Sequence, residues 1–394
     1  MARSERSYAA DLDARARQGL RRNLTPVEMV DARTIRVGGM SYVNLASNDY
    51  LGLRVHPDLI ARARDWAAAY GVGSGASRLV TGDLGLFAGI EAKLAALKDK
   101  PAALIMASGF QANGTVLPAL LDKGVLGASP LVFADRLNHA SLHFGCAAAG
   151  VRQIRYRHGD ANHLAELLSQ YQGDSSPKFI LTESVFSMDG DIAPLAEIGR
   201  LARTHDAFLL VDDAHATGIL GEGGRGLSDE SDLVVGTFSK ALGGFGAYVA
   251  CSATLRDYLI NRCGGLIYST ALPPPVLGAQ DAALDLVPTL DAARAHVARL
   301  AARFREGARA LGYDTGASST QIVPLILGDN EMALGLAERV RAAGFWVTAI
   351  RPPTVPSGTA RLRLAFNAAH AEEDVDHLLG ALDAGVPSRR RAAG

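Results

Sequence analysis

Short apolar runs alternate with amphipathic stretches through the middle of the chain. Candidate strands are Ala102–Ala107, Leu131–Ala134, Lys178–Thr182, Phe208–Val211, Leu233–Thr237 and Gly246–Cys251. Nearly continuous apolar content over such lengths is the pattern of strands covered on both faces. Helical patterns lie between them, among them Leu84–Lys98 and Ala193–Arg203. The alternation predicts an α/β fold, a mainly parallel sheet with helices on both faces. Pro273-Pro274-Pro275 then opens a long helical stretch, Val276 to about Leu311. Beyond it the pattern shortens to strand, helix, strand, strand, helix. Met332, Leu336 and Val340 share one face of the first of these helices, and Val375, Leu378, Leu379 and Leu382 one face of the last. The expected organisation is an N-terminal arm over 1–45, a large domain over 46–284 and a smaller α+β C-terminal domain over 285–394. The arm begins with a charged helical stretch, Ala9–Arg22, and the basic tail Ser388–Arg391 reads as a solvated end.

Bulk properties narrow the class. Hydrophobic residues make up 48% and charged residues 21% of the 394, which is ordinary for a globular enzyme. A formal net charge of −1 gives no electrostatic reason to expect nucleic acid or an anionic membrane as partner. Cys146, Cys251 and Cys263 are widely spaced and odd in number, so reduced thiols are expected, not a disulfide framework. The first residues lack the apolar core of a signal peptide, and no run is long and apolar enough to span a bilayer. A soluble, cytoplasmic protein is expected.

The chemistry concentrates at strand ends. Lys240 closes the run Leu233-Val234-Val235-Gly236-Thr237-Phe238-Ser239, and Asp212-Asp213-Ala214-His215 closes the run before it. Neighbouring parallel strands would deliver amine, carboxylate and imidazole to one rim, where open α/β sheets bind ligands. A lysine there can form an imine, and an acid partner is what a pyridinium nitrogen requires, so the set reads as a pyridoxal 5'-phosphate site. Taken alone, a strand-end lysine is more often solvated. Asp212 alone could equally be a salt-bridge or capping residue. The context adds weight: Thr237 and Ser239 offer hydroxyls for phosphate, and Ser108-Gly109-Phe110-Gln111 follows a strand and opens a helix whose free N–H groups favour an anion. His215 and Ser187 could meet the phenolate oxygen of such a ring, and His139 could stack on it.

Other readings of the same motifs fail on context. His139 and His143 have i,i+4 spacing, but Ala140 stands where a zinc protease needs glutamate, and no further ligand cluster supports a metal. Gly71-Val72-Gly73-Ser74-Gly75 follows a helical segment, Leu59–Tyr70, instead of a strand, which argues against a dinucleotide fold. No phosphate loop and no nucleophile elbow occur. In Ile350-Arg351-Pro352-Pro353-Thr354-Val355-Pro356 two prolines restrain the chain beside Arg351, suiting its guanidinium to a substrate carboxylate. Arg361 and Arg363 alternate with Leu362 and Leu364, and surface charge is the expected role for both.

Taken together the motifs resemble the α-oxoamine synthases, members of the fold-type-I pyridoxal-phosphate-dependent transferases. Thr182-Glu183-Ser184-Val185-Phe186-Ser187-Met188-Asp189-Gly190-Asp191, Val211-Asp212-Asp213-Ala214-His215 and Thr237-Phe238-Ser239-Lys240 carry the resemblance, with Leu20-Arg21-Arg22 and Ser47-Asn48-Asp49-Tyr50-Leu51-Gly52-Leu53 upstream. It implies that Lys240 holds the coenzyme covalently, Asp212 faces its ring nitrogen and His139 stacks on the ring. Ser187 and His215 would contact the phenolate oxygen, with Gly109, Phe110 and Thr237 around the phosphate. Arg21, Asn48, His139, Arg351 and Thr354 would face the amino acid or product. Family members are dimers, and Thr270 would reach the partner's phosphate. Ala216 departs from the family, standing where many members have glycine.

Within that family the Arg351-Pro352-Pro353 segment is similar to the biotin-route branch. That branch condenses L-alanine with a pimeloyl thioester to 8-amino-7-oxononanoate, carbon dioxide and the free carrier, coenzyme A or acyl carrier protein. Glycine-using relatives carry a different pair there. A transaminase on the same fold and a cofactor-binding regulator are the remaining rivals.

Overall fold

The structure, a computed structural model, describes residues 3–383, so the basic tail Ser388–Arg391 lies outside the described residues. Two compact units emerge. One comprises Asn48–Ser187 and Asp191–Ala295, the other Met1–Ser47, Met188–Gly190 and His296–Gly394. The N-terminal arm and the C-terminal region thus fall in one unit.

The first unit is built on seven strands: β1 (Ala102–Met106), β2 (Leu131–Asp135), β3 (Gln153–Tyr156), β4 (Lys178–Glu183), β5 (Ala207–Asp212), β6 (Leu233–Thr237) and β7 (Ala247–Cys251). Their order is β1-β7-β6-β5-β4-β2-β3. Strands β2 to β6 pair in parallel, while β7 runs antiparallel between β6 and β1. Neighbouring side chains enter opposite cores. Leu181 and Leu210 join one cluster, whereas Ile180, Leu209 and Val211 join the other. Period-two alternation in a sheet covered on both sides produces this division. Each fully buried aliphatic side chain contributes about 1.5–3 kcal/mol. The strand β3, which the periodicity does not flag, forms the far edge; only Tyr156 of its four residues is buried, so its apolar signal is weak.

Three helices of this unit matter to the site: α1 (Leu86–Lys98), α2 (Gly109–Leu120) and α3 (Ala140–Ala148). Ser108 caps α2 by accepting from the Gln111 N–H, and His139 caps α3 by accepting from Ser141 N–H. The expected helix Val276–Leu311 is broken. Helices span Pro274–Leu286 and Asp291–Ala310, with a 3-10 turn at Val287–Thr289 between them. Pro288 has no N–H to donate and would clash with a preceding carbonyl, which ends the first segment.

The second unit has a three-stranded antiparallel sheet, β8 (Ile322–Gly328), β9 (Thr348–Ile350) and β10 (Ala360–Ala365), in the order β8-β10-β9. Helices Asn330–Ala342 and Glu372–Asp383 complete the expected α+β pattern. Three expectations need correction here. The arm's helix is Arg3–Arg17, leaving Arg21 and Arg22 beyond its end. Met332 is 54% exposed, because the buried stripe of its helix runs through Ala333, Leu336, Ala337 and Val340. Arg361 and Arg363, expected on the surface, are 3% and 6% exposed. Arg361 donates to the Asp189 carboxylate and the Met188 carbonyl, and a buried guanidinium requires such partners. Among the described residues, no helix is long and apolar enough to cross a membrane.

Candidate active site

The carboxyl ends of β2, β4, β5 and β6 share one rim of the large sheet, and the candidate residues leave from there. Lys240 lies on the turn just past β6, half-buried, with its carbonyl accepting from Gly243 N–H at 2.9 Å. Asp212 ends β5 and is 8% exposed. Its Oδ2 accepts from Asn113 Nδ2 at 2.7 Å and its Oδ1 from Ala214 N–H at 3.1 Å, so two protein donors fix the carboxylate plane. Asn113 sits one turn into α2, also donates to Ser141 Oγ, and leaves its own Oδ1 buried without a partner.

Asp212 stands opposite Glu183 in the β4–β5 register. Glu183 is 3% exposed, and its Oε1 accepts from His139 N–H at 2.5 Å. Burial, reinforced by the Asp212 charge and opposed by Lys240, pushes the Glu183 carboxyl well above the usual range. Burial beside a second carboxylate thus favours the protonated form of Glu183. His139 is exposed at the rim, yet the protein packed around the rest of its ring lowers its pKa; Asp212 opposes this and Lys240 adds to it. Its Nδ1 accepts from Ser141 N–H, assigning the neutral tautomer's proton to Nε2. His215, 6% exposed, lies on the turn after β5 with Nδ1 2.7 Å from the Tyr50 hydroxyl. Tyr50, fully buried, also donates to Asn48 Oδ1 at 3.2 Å, linking two candidate residues.

A helix N-terminus borders the rim. Helix α2 begins at Gly109 directly after β1, and Ser108 already accepts the Gln111 N–H. Free N–H groups at Gly109 and Phe110 would receive phosphate. A methyl added at Gly109 would meet nothing within 4 Å, so the backbone there is open to a ligand. The Thr237 and Ser239 hydroxyls both lie within hydrogen-bond distance of the Gly246 carbonyl, at 2.8 and 3.3 Å. Thr237 is buried and accepts Ser239 N–H, so of the two the exposed Ser239 is better placed to turn outward. Thr270 is exposed and bridges to Ser77. It shares a small cavity with Ala107 and Ser269, beside the start of α2.

The donor set at this rim comprises an amine, a carboxylate, hydroxyls, an imidazole and helix N–H groups. It is complementary to a phosphorylated pyridine aldehyde, so the residues fit pyridoxal 5'-phosphate.

The second unit has its own cavity, about 510 Å³, lined among others by Arg21, Arg22, Arg341, Trp346, Arg351 and Thr354. It gathers three residues expected to face substrate: Arg21, Arg351 and Thr354. Arg22 Nη2 donates to Thr354 Oγ1 at 3.0 Å, and Arg351 Nη1 donates to the Gly19 carbonyl. Burial and the neighbouring Arg22 charge lower the Arg351 pKa.

Sequence reasoning missed Asn113, Glu183, Tyr50 and Arg22 as contributors. Each lies inside or beside a motif that was legible, but only tertiary contacts give it a role.

Residues 41–382 match the family described as aminotransferase class I and II. A protein of Gluconacetobacter diazotrophicus named 8-amino-7-oxononanoate synthase is 57% identical, over 97% of this chain and 98% of its own. A solved structure of SPT (serine palmitoyltransferase) with its PLP internal aldimine superposes with a TM-score of 0.88 at 27% identity, covering 96% of each chain. The 8-amino-7-oxononanoate synthase of Francisella tularensis gives 0.74 at 27% identity, over 87% of this chain and 97% of that one.

Proposed function

The chain belongs to the class I and II aminotransferase family, and within it we propose that it is an acyltransferase that condenses L-alanine with a pimeloyl thioester. The products are 8-amino-7-oxononanoate, carbon dioxide and the free thiol carrier, a step of biotin synthesis. The observation carrying this reading is the 57% identity, across nearly the full length, to a protein named for that activity.

Pyridoxal 5'-phosphate, when bound, supplies an aldehyde that takes up the substrate amine and a protonated ring that spreads the negative charge arising at Cα. The chain's residues do the rest. Lys240 would hold the coenzyme, and with alanine bound its free Nζ would remove the Cα proton. Asp212, its plane fixed by Asn113 and Ala214, would keep the ring nitrogen protonated. His139 would cover one ring face, and Ser187 and His215 would contact the phenolate oxygen. Gly109 and Phe110, with Thr237 and the exposed Ser239 beside it, would hold the phosphate. A new carbon–carbon bond then forms from Cα to the acyl carbon as the carbon–sulfur bond breaks and the thiolate leaves. The carboxylate departs as carbon dioxide, and Lys240 or a neighbouring acid returns a proton to Cα. Arg351, with Arg21 and Thr354 in the same cavity, would orient carboxylate groups of the substrates.

The carrier is coenzyme A or an acyl carrier protein, and the enzyme works in the cytoplasm as a homodimer. Exposed Tyr268, Phe110 and Phe144 offer apolar surface for the pairing. Thr270 of one protomer would complete the partner's phosphate site.

The test offers L-alanine, glycine and L-serine against pimeloyl, succinyl, acetyl and palmitoyl thioesters, following thiol release. The serine–palmitoyl arm is included because of the structural likeness to serine palmitoyltransferase. Fastest release with alanine and the pimeloyl donor is expected. A preference for glycine or serine would overturn the assignment while leaving the family intact.

A further inference from the structure

His158 follows the edge strand β3 and is absent from the chemistry above, yet its ring is held at both nitrogens. Nδ1 lies 3.0 Å from Asp135 Oδ1, and Nε2 lies 2.9 Å from Asp191 Oδ2. The ring also stands edge-on against Phe186, centroids 4.3 Å apart at 85°. A neutral imidazole has one N–H and cannot donate to two carboxylates; an imidazolium can.

The two aspartates belong to different strand exits. Asp135 ends β2 and is 1% exposed. Its Oδ1 accepts Leu137 N–H at 2.9 Å and its Oδ2 accepts Gly159 N–H at 2.9 Å, folding the turn that ends at His139. Asp191 lies past the exit of β4. Its carbonyl accepts Phe186 N–H at 3.1 Å, and Val185 bridges to Ile192, so this neck sets where Ser187 emerges. The second oxygen of Asp191 is buried without a partner, which leaves His158 as its charge compensation. The nearest other cation in sequence, Arg157, bonds Asp160 instead.

We propose that His158 is a positioning residue whose imidazolium ties the turn carrying His139 to the neck carrying Ser187, fixing both against the coenzyme. The inference rests on the coenzyme site proposed above. Burial pulls the His158 pKa down, but the Asp135 and Asp191 contacts outweigh it and raise it to about 10. A raised histidine pKa gives a clamp that is fully present below about 6.5, the free imidazole value, and is lost as pH rises through 10. Neutral or mildly alkaline solution therefore leaves it closed.

The holoenzyme tests this in two measurements. Imidazole NMR should show His158 protonated at neutral pH, titrating near 10. The pH midpoint of the coenzyme's absorbance should shift by about half a unit or more in His158→Gln, because Ser187 no longer meets the phenolate oxygen squarely. Asp191→Asn, which leaves the Asp135 contact in place, should shift the midpoint in the same direction and decides the matter if His158→Gln does not fold. In both variants kcat should fall about tenfold, with the alanine KM changed less. Wild-type midpoints in a folded, loaded variant would overturn the clamp, as would a His158 that is neutral at pH 7. Wild-type protein with no coenzyme absorbance at all would instead overturn the coenzyme site itself.

Discussion

Lys98 Nζ donates to Asp213 Oδ2 at 2.5 Å, and neither side chain has any exposed surface. The ammonium also reaches Thr217 Oγ1 and the Arg225 carbonyl, using all three of its protons. Asp213 follows Asp212, and its carbonyl accepts Ala216 and Thr217 N–H, shaping the turn that presents His215. There is no slack around the pair. Gly226 has φ +88°, and a methyl there would come within 1.7 Å of Asp213 Oδ2.

A buried pair is costly to break from one side only, because the remaining charge is stranded. Lys98→Met should lose about 3–5 kcal/mol of stability in urea unfolding. Lys98→Met combined with Asp213→Leu should recover most of that loss. A double variant no more stable than the single one would show that hydrogen-bond geometry, not charge, is what matters.

Lys240→Ala should release no thiol from any donor, and borohydride should attach no coenzyme to the chain at that position. Residual turnover at the wild-type rate would remove Lys240 from the mechanism.

Asp212→Asn preserves size and can keep one of the two contacts its carboxylate accepts, from Asn113 Nδ2 or from Ala214 N–H, so folding should survive. Turnover should fall roughly 10²–10⁴-fold, since the ring nitrogen loses its acidic partner. Steady-state kinetics beside the unfolding curve separates the two effects.

His370 supplies a pH dependence of the opposite kind to that of His158. It is 2% exposed; its Nδ1 accepts Asn367 N–H, and its Nε2 lies 3.2 Å from the Asn44 carbonyl, a pattern that suits the neutral ring. Burial pulls its pKa down to about 4. Between about 6.5 and 4 the unfolded chain binds a proton that the folded chain refuses, so stability should fall as pH drops through that window. The loss is on the order of 3 kcal/mol at its limit. His370→Gln should flatten the Tm profile there; an unchanged acid slope would mean other groups govern it.

Arg351→Ala should lower kcat/KM about 10–100-fold while leaving the coenzyme's absorbance intact, since the guanidinium is assigned to substrate carboxylate. Loss of coenzyme in that variant would contradict the assignment.

Legibility differed by level. The six strands named from apolar runs all occur within a residue or so of their expected ends. Burial on both faces leaves an unmistakable composition, whereas β3, at an edge and partly covered, leaves almost none. The rim residues Lys240, Asp212, His139 and His215 were named because strand ends announce where side chains emerge. Arg361 was misjudged because alternation along a strand says which residues share a face, not whether Asp189 waits on that face. The exposure of Met332 has a similar origin, since a one-residue rotation of the helix trades Met332 for Ala333.

By itself, then, the chain's pattern determined the α/β architecture, the strand ends and the groups they deliver, because these follow from local periodicity and composition. Only the tertiary structure decided which of those groups are charged and which are held still. Asn113 on Asp212, Glu183 buried beside it, Lys98 closed on Asp213 and His158 between two aspartates join residues far apart in sequence. Desolvation and Coulomb attraction act through space, and a linear pattern carries no record of those distances.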